Sequence, residues 1–452
     1  MAAIQIKVVF ATQNPDIQLP EEKRQLVVPS DIKRHGLSQI LNHTSMLDTS
    51  VPIPFDFLIN GTFLRGSLAS HLESYGISTE ETVTLDYVPS LLPPFYENSF
   101  LHEDWVSDVD VSGQGPDARL LSASYDKLLR VWDRAGGMLA VSPSAADGGH
   151  RRRVNTAKFL TPSKIASSGL DGTVLVWEYS EAGGKGALKP VLELTGHSDQ
   201  IRDITVHQPS NQFLTASSDG RVGLWTPSRK LAPQVEDPRP AKRAKSSVTL
   251  SARGPLSMVP VSDKPVTAAV FHPSDPSVAY ASAMDGSVRT VDLTTGKIVS
   301  SLTTMHPLRC LAPLAGSSPL LAAGTTARHI TLVDPRESAA TTSVMTLRAH
   351  LGWVESVCAS PENEYSLVSG SWDSTCKIWD LRSVRAGTKE EGGGRVCDEA
   401  VYSIPRETMK GEKVKADGGG GKVLRVKWDA GWGIVSGGED RRVQINGVGE
   451  RA

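Results

Sequence analysis

The chain contains 452 residues, of which 48 are basic and 50 acidic, and its formal net charge of -2 argues against a general electrostatic attraction to nucleic acid. Its four cysteines form no C-x-x-C pair and no metal-like grouping with histidine, which predicts a reduced intracellular protein with no disulfide framework, no intrinsic metal site and no cofactor. The first residues lack the apolar block of a signal peptide, and no run of about 18 apolar residues occurs, so we expect no membrane association.

Residues 1–91 carry the periodicities of a small α+β domain. Six elements follow one another as strand, strand, helix, strand, short helix and strand, over residues 4–10, 24–29, 31–44, 55–61, 64–76 and 81–88. Asp31 is placed to cap the first helix, and Gly76 to end the second. This order is typical of a ubiquitin-like β-grasp domain, here called the head, and about 90 residues suffice to bury one small core.

Residues 105–449 repeat one pattern, in which an Asp stands six residues before a Trp. The four complete copies contain Asp126 and Trp132, Asp171 and Trp177, Asp219 and Trp225, and Asp373 and Trp379. Three weaker copies are centred on positions 285, 327 and 440. Each copy reads as a buried strand, a tight turn at the Asp and a second strand. Seven copies therefore predict a mainly β fold, a seven-bladed propeller.

The repeats resemble the WD-repeat family, in which His, Ser or Thr, Asp and Trp form a buried hydrogen-bonded network. A buried Asp requires partners, which explains why a histidine and a hydroxyl accompany it. The resemblance assigns this structural role in blade three to His197, Asp219 and Trp225 with Ser217 or Thr215, and in blade six to His350, Ser369, Asp373 and Trp379. It assigns the same role in blades one and two to Asp126, Trp132, Asp171 and Trp177.

An enzymatic interpretation competes with this one, because Ser, His and Asp together also suggest a hydrolase triad. The set recurs in several blades, however, whereas an active site occurs once. The sequence contains no G-x-S-x-G elbow, no P-loop and no H-E-x-x-H motif. A head used in conjugation would need a mature Gly-Gly tail, but its last strand leads into VPSLLPPF. We therefore predict no enzymatic activity.

Two long intervals between copies of the repeat predict insertions at about residues 226–262 and 383–421. The first is rich in Pro, Lys and Arg and poor in large apolar residues, which favours a mobile loop. Its cluster Lys242, Arg243 and Lys245 is either a nuclear import signal or part of a solvated loop. In the second, glycine runs flank a weak strand, VYSIPRE, and are typical of a flexible linker.

Residues 92–104 join the head to the propeller. Only six residues follow Asn446, too few for the outermost strand of blade seven. We therefore expect a stretch within 92–104 to supply that strand and close the ring, which removes the exposed edges that an open sheet would leave.

Four further segments are distinctive: VPIPFDFLING, DYVPSLLPPFYENSFLHEDWVSDVDV, ARHITLVDPR and SPENEYSLVSGSWD. With them, the chain resembles the family of ribosome biogenesis factors known in animals as WD-repeat protein twelve and in fungi as Ytm-one. The resemblance implies nucleolar maturation of the large ribosomal subunit and processing of its precursor RNA. It implies a trimer with a block-of-proliferation-type propeller protein and a pescadillo-type protein on the large-subunit precursor particle, in the nucleolus and nucleoplasm. The alternative, open to any WD-repeat protein, is a substrate receptor or signalling scaffold.

The resemblance also implies that the head docks onto midasin, a giant AAA-type ATPase that pulls the factor off the particle. In the family, a Glu at the turn before the last strand of the head completes the coordination of a Mg²⁺ ion in midasin. The order of residues in GISTEETVTLDYV assigns that role to Glu80, with Glu81 as the alternative. A carboxylate is a hard oxygen ligand suited to Mg²⁺. Ser78 and Glu81 have capping-box spacing, which would hold Glu81 and leave Glu80 free.

Overall fold

A computed structural model describes residues 5–49, 51–113, 115–235, 250–316, 318–337, 343–388 and 394–449. The chain divides into two compact units. The first runs to Pro93 and includes the segment Leu381–Ala386, and the second comprises Pro94–Asp380 and the residues from Gly387 onward. No helix within the described ranges is long and apolar enough to cross a membrane.

The first unit is a mixed five-stranded sheet with two helices. Its strands are β1 (Gln5–Ala11), β2 (Gln25–Pro29), β3 (Phe55–Ile59), β4 (Thr62–Phe63) and β5 (Val83–Pro89), and its helices are α1 (Arg34–Leu41) and α2 (Leu68–Ser74). The strand order is β2-β1-β5-β3-β4, with β1 and β5 parallel and the other pairs antiparallel. This topology confirms the predicted ubiquitin-like fold.

One apolar core lies within this unit. Alternate residues of β1, namely Ile6, Val8 and Phe10, are fully buried, because successive side chains of a strand point to opposite faces of the sheet. Leu37 of α1 and Leu68 of α2 belong to the same buried cluster. The core is therefore formed by every second residue of the strands and by residues at helical spacing in α1 and α2.

The first helix is shorter than predicted, and the predicted cap at Asp31 is wrong. The residue before α1 is Lys33, whose side chain makes no capping hydrogen bond. The preceding residues are bonded elsewhere: the amide of Leu68 donates to the carbonyl of Ile32 at 2.9 Å, and the amide of Ala69 donates to Ser30 at 2.7 Å. Ser30 and Asp31 instead form a turn, in which the amide of Ile32 donates to the carbonyl of Pro29 at 3.1 Å. The second helix ends as predicted, with Gly76 at φ +64.

The second unit is a ring of seven blades, each built on four antiparallel strands. It begins with β6 (Phe95–Leu101). Blade one contains β7 (Val106–Ser112), β8 (Arg119–Ser124), β9 (Leu129–Trp132) and β10 (Met138–Val141). Blade two contains β11 (Val154–Thr161), β12 (Lys164–Gly169), β13 (Val174–Ala182) and β14 (Lys185–Leu194). Blade three contains β15 (Ile201–His207), β16 (Gln212–Ser217), β17 (Arg221–Trp225) and, after β18 (Ala252–Arg253), β19 (Ser257–Pro260).

The remaining blades follow the same pattern, which confirms the predicted seven-bladed propeller. Blade four contains β20 (Val266–Phe271), β21 (Val278–Ala283), β22 (Ser287–Asp292) and β23 (Lys297–Thr303). Blade five contains β24 (Leu308–Pro313), β25 (Leu321–Thr325), β26 (His329–Val333) and β27 (Met345–Arg348). Blade six contains β28 (Val354–Ala359), β29 (Ser366–Ser371), β30 (Thr375–Asp380) and, after β31 (Arg385–Ala386) and β32 (Arg395–Cys397), β33 (Tyr402–Pro405). Blade seven contains β34 (Val423–Asp429), β35 (Gly433–Gly438) and β36 (Arg442–Gly447).

The described ranges also contain six one-turn 3-10 helices, at Pro15–Ile17, Glu21–Lys23, Gly115–Asp117, Ala145–Asp147, Glu407–Met409 and Gly418–Gly420. They lie in the connections between strands. None of them is long enough to present a separate helical face.

The ring closes through β6, which is the outermost strand of blade seven. It pairs antiparallel with β36, from Arg442 opposite Leu101 to Gly447 opposite Phe95. Phe100 of this strand is buried, and its ring stacks on Trp132 of blade one with centroids 4.9 Å apart. The residues just after the head therefore join the last blade to the first.

The two insertions contain more structure than the sequence indicated. Within residues 226–262, β19 is the outermost strand of blade three, and β18 pairs in parallel with β14 at the edge of blade two. Within residues 383–421, β33 is the outermost strand of blade six, and β32 pairs in parallel with β27 of blade five. The weak strand predicted at VYSIPRE corresponds to β33, whereas the prediction of a loop and a linker is wrong for β18, β19 and β32. Their short, mixed sequences conceal them, because sheet edges already in place supply their hydrogen bonds.

Candidate functional site

Blade six contains a complete polar chain in its interior. Trp379 Nε1 donates to Ser369 Oγ at 2.8 Å, and Ser369 Oγ lies 2.7 Å from His350 Nε2. His350 Nδ1 lies 2.8 Å from Asp373 Oδ2. Asp373 also accepts the amide hydrogens of Leu351 and Thr375. Although burial opposes its charge, the hydrogen bond from His350 helps to hold the pKa of Asp373 at about 2.

Blade three repeats this chain with a threonine. Trp225 Nε1 donates to Thr215 Oγ1 at 2.7 Å, His197 Nε2 lies 2.7 Å from the same oxygen, and His197 Nδ1 lies 2.8 Å from Asp219 Oδ2. The sequence left Ser217 and Thr215 as alternatives for the hydroxyl of this network, and the structure places Thr215 there. Ser217 instead donates to the carbonyl of Gln200 at 3.0 Å.

Blades one and two contain only part of the chain. In blade one, Trp132 and His102 both bond Ser122, each at 2.8 Å, but Asp126 pairs with Arg130 at 2.7 Å. His102 was not predicted for this role, although it stands 24 residues before Asp126, close to the 22 and 23 residues that separate His and Asp in blades three and six.

In blade two, the same hydroxyl position is filled by Ser167. Trp177 Nε1 donates to Ser167 Oγ at 2.7 Å, and His150 Nε2 lies 2.6 Å from it. Asp171 Oδ1 accepts the hydroxyl and the amide hydrogen of Thr173. His150 Nδ1 has no hydrogen-bond partner among the described residues, so the link from histidine to aspartate is absent here.

Blade seven uses an arginine where other blades use a histidine. Arg406 is 1% exposed, and it binds both oxygens of Asp440, at 2.7 and 3.0 Å. Its Nη1 also donates to Ser436 Oγ at 2.7 Å. Ser436 stands four residues before Asp440, as Ser369 does before Asp373. The sequence offered little sign of this role, because Arg406 lies in the predicted weak strand VYSIPRE, which is flanked by glycine runs and carries no repeat signature.

Blades four and five differ most from the pattern. Asp285 of blade four accepts hydrogen bonds from Ser262 and Ser287 at 2.8 and 2.5 Å and pairs with Arg289 at 2.9 Å. In blade five, Ala327 occupies the position of the Asp. The polar chain is therefore a local tie whose partners vary from blade to blade.

The geometry in blade six matches the order of a hydrolase triad, but it leaves no nucleophile. Ser369 is fully buried, and its oxygen already accepts a hydrogen bond from Trp379. A serine nucleophile must meet a substrate, and its base must be free to take the proton. Here the serine, histidine and aspartate hold strands together, so the arrangement is structural.

The buried histidines predict acid sensitivity. Burial lowers the pKa of His102 and of His150 to about 4, so both are neutral in the folded state. The unfolded chain takes up these protons near pH 6.5, which favours unfolding as the pH falls from about 7 to about 4 and adds nothing further below that. We expect His150→Gln to reduce the slope of unfolding free energy against pH by up to about 1.4 kcal/mol per pH unit.

Urea unfolding at a series of pH values between 7.5 and 4.5 measures this slope. The control is His43→Gln, the same substitution at an exposed position of the head. An identical slope for His150→Gln and the natural chain would contradict the assignment.

The innermost strands of the propeller surround a polar cavity. Each blade contributes the second residue of its innermost strand: Ser107, Asn155, Arg202, Thr267, Arg309, Glu355 and Leu424. The cavity, here called the channel mouth, has a volume of about 220 Å³, and Tyr125, Arg153 and Arg425 also line it. It is the open end of the channel on the propeller axis.

Below the mouth, an ion network joins distant blades. Arg425 of blade seven pairs with Asp108 of blade one at 2.9 Å and with Asp203 of blade three at 2.7 Å. Lys158 of blade two pairs with Asp108 at 2.8 Å. Burial raises the pKa of Asp203, whereas the charges of Arg425 and Lys158 outweigh burial and lower that of Asp108. The network ties the ring across its axis.

The head presents Glu80 and Glu81 on an exposed turn between α2 and β5. Ser78 Oγ accepts the amide hydrogen of Glu80 at 3.2 Å, which fixes the backbone of the turn. The expected capping box between Ser78 and Glu81 is absent, because no helix begins here. Neither carboxylate bonds any described residue, so both point to solvent. No described group of three or more His, Cys, Asp or Glu could hold a metal ion by itself.

The three residues of the basic cluster, Lys242, Arg243 and Lys245, lie outside the described residues.

Comparison with known proteins gives two family matches. Residues 6–72 match the NLE (NUC135) domain, and residues 97–133, 188–226 and 341–380 match the WD domain, G-beta repeat. The matched head and repeats are the two units of the fold.

Several curated fungal proteins are similar over nearly their whole length. "Ribosome biogenesis protein ytm1" of Neurospora crassa is 54% identical, covering 98% of this chain and 96% of the relative. The protein of the same name from Chaetomium globosum is 53% identical with the same coverage. That of Aspergillus oryzae is 45% identical, covering 98% of this chain and 95% of the relative.

Proposed function

Because the chain belongs to the Ytm1 family of ribosome biogenesis proteins, we propose that it is an assembly factor for the large ribosomal subunit that also supports processing of the precursor RNA. A role in ribosome biogenesis follows from membership of the family, and the protein is not an enzyme. Such a role implies action in the nucleolus or nucleus, and we propose the nucleolus and nucleoplasm. The observation that carries this proposal is that about half of the residues, across both units, are identical to those of the fungal ribosome biogenesis proteins.

We propose three partners on the large-subunit precursor particle: a block-of-proliferation-type propeller protein, a pescadillo-type protein and midasin. The closed ring supports the first two, because a rigid surface loses little entropy on binding. The head supports the third, because residues up to Pro93 form, with Leu381–Ala386, a compact unit of their own. Binding of the propeller partner should therefore survive removal of residues 1–93, which leaves β6 in place.

Affinity purification of the full chain from a fungal extract, followed by mass spectrometry, tests this proposal. We expect both trimer partners and precursor large-subunit proteins with the full chain and with the chain that begins at Pro94, and midasin with the full chain only. Recovery of ubiquitin ligase subunits or signalling enzymes in place of ribosomal precursors would favour the alternative, a substrate receptor or signalling scaffold.

We propose that Glu80 completes the Mg²⁺ site of midasin, with Glu81 as the alternative. The exposed carboxylate on a hydrogen-bonded turn supports this proposal. A carboxylate that coordinates an ion held by another protein must have no ion-pair partner in its own chain, and its backbone must be held in place. The ion belongs to midasin, and this chain would supply one oxygen ligand. Release of the factor from the particle would then depend on this turn.

The basic cluster Lys242, Arg243 and Lys245 is proposed as a nuclear import signal. Changing all three residues to Ala should reduce nuclear accumulation of a fluorescent fusion and leave the melting temperature unchanged. The control changes the exposed Lys185 and Lys189 of blade two to Ala, which removes positive charge elsewhere. Unaltered accumulation of the triple variant would show that the cluster is a solvated loop, or that the protein enters with a partner.

A further inference from the structure

The channel mouth carries more positive charge than its own carboxylates balance. Among the described residues, four guanidinium groups line it, from Arg153, Arg202, Arg309 and Arg425, and the only carboxylate is that of Glu355. Glu355 is engaged by Arg309, with Arg309 Nη2 at 2.6 Å from one oxygen and Nε at 2.9 Å from the other. Arg425 is engaged by the two aspartates below the mouth.

The other two arginines have no carboxylate partner among the described residues. Arg202 donates from Nε to Ser218 Oγ at 2.7 Å, which positions the guanidinium but does not neutralise it. Arg153 lies over the ring of Tyr125 at 4.6 Å, and its Nε is buried without a hydrogen bond. Burial lowers the pKa of Arg202, as does the charge of Arg309. The charge of Arg202 is therefore held in the mouth at the cost of desolvation, and an anion that entered the mouth beside Arg202 and Arg153 would relieve this cost.

Aromatic rings accompany these arginines. The rings of Trp353 and Trp372 are in contact, with centroids 4.4 Å apart and planes inclined by 31°, and the guanidinium of Arg309 lies 5.3 Å from the first ring and 5.7 Å from the second. Trp105 stacks on Tyr125 at 5.7 Å. Trp353 is 39% exposed. Tryptophan, tyrosine and arginine are the residues that contribute most often to the energy of protein interfaces.

We propose that the channel mouth receives an acidic side chain of a protein partner, between Arg153 and Arg202, while the aromatic pairs form the rim of the interface. The charge of the mouth selects a carboxylate, and 220 Å³ holds one side chain. Single-stranded RNA suits the site less well for two reasons. Glu355 would repel a run of phosphates. The rings of Trp353 and Trp372 already contact each other and the guanidinium of Arg309, so they are not free to stack on bases. The partner is the propeller protein proposed above, so this inference rests on the proposed function.

Binding of that purified partner to the full chain, measured by isothermal titration calorimetry, tests the inference. We expect Arg202→Glu and Arg153→Glu each to weaken binding by roughly tenfold or more, because each places a negative charge where the acid enters. Arg202→Lys should lose less than Arg202→Glu, since it keeps the charge. The matched control is Lys189→Glu, the same change of charge at an exposed position of β14.

The outcomes separate the inference from the proposed function. If the natural chain does not bind the partner, both fail. If it binds and the folded variants bind equally well, the channel mouth is not the docking site, and the proposed function stands. If Arg202→Glu unfolds, Arg202→Gln replaces it, with a smaller loss expected. If a single-stranded oligouridylate binds the natural chain but not the variants, while partner binding is unchanged, the mouth is a phosphate site and the inference is overturned.

Discussion

Arg425→Leu should lower the free energy of unfolding by about 3–5 kcal/mol, because it leaves two buried carboxylates without their shared cation. The side chain of Asp108 is fully buried and that of Asp203 is 9% exposed. Lys158 still pairs with Asp108 in the variant, but Asp203 loses its only ion-pair partner among the described residues. Leucine fills part of the space of the arginine side chain. The loss of unfolding free energy therefore comes mainly from the missing positive charge and less from the missing side-chain volume.

Urea unfolding at pH 7 measures this loss, and the pH dependence identifies its cause. Burial already raises the pKa of Asp203, so the orphaned carboxyl should take up a proton readily, and the deficit of the variant should shrink as the pH falls towards 5. Adding Asp203→Asn should recover part of the loss at pH 7. Arg336→Leu is the control, since its surface pair with Asp334 should contribute about 0–1 kcal/mol. Equal losses for the two single variants would contradict the network.

Glu80→Asp should weaken Mg²⁺-dependent binding of the head to midasin by roughly tenfold or more, about 1.4 kcal/mol. The substitution keeps the charge and shortens the side chain by one methylene, so the carboxylate no longer reaches an ion with strict octahedral geometry. Stability should not change, because the Glu80 side chain bonds no described residue and only its amide holds the turn.

Pull-down with the isolated midasin adhesion domain, with Mg²⁺ and with a chelator, measures this effect. Glu81→Asp is the matched control, an adjacent exposed carboxylate shortened in the same way. If Glu80→Asp binds midasin normally and Glu81→Asp loses binding, Glu81 and not Glu80 is the Mg²⁺ ligand. Normal binding by both would show that this head does not use a metal contact.

The number of blades was predictable from the sequence because four copies keep an Asp six residues before a Trp, and three weaker copies are recognisable between and after them, even in blade five, where both residues are replaced. The chains of hydrogen bonds in blades three and six involve His, Ser or Thr, Asp and Trp close together in sequence. The position of His102 could also have been predicted, from its distance of 24 residues before Asp126. Its neighbour is Leu101 rather than the small residue that precedes His150, His197 and His350.

Other features depend on the closed ring and have no local signal. Arg425 and Asp203 are 222 residues apart in sequence and meet only because seven blades bring their inner strands to one axis. Arg406 is 34 residues from Asp440, beyond a glycine-rich stretch, and resembles a surface arginine until β33 places it in the blade. The predicted helix cap at Asp31 was wrong for a similar reason, since Asp31 lies in a turn whose flanking carbonyls, those of Ser30 and Ile32, accept hydrogen bonds from the start of α2.

Sedimentation of the protein in gradients of cell extract tests the central claim most directly. With the natural chain, a minority of the protein should travel with large-subunit precursors and the rest should remain in the light fractions. With Glu80→Asp, the chain should accumulate in the precursor fractions together with its trimer partners, because it assembles but is not removed. Absence of both forms from the precursor fractions would contradict an assembly role on the large subunit.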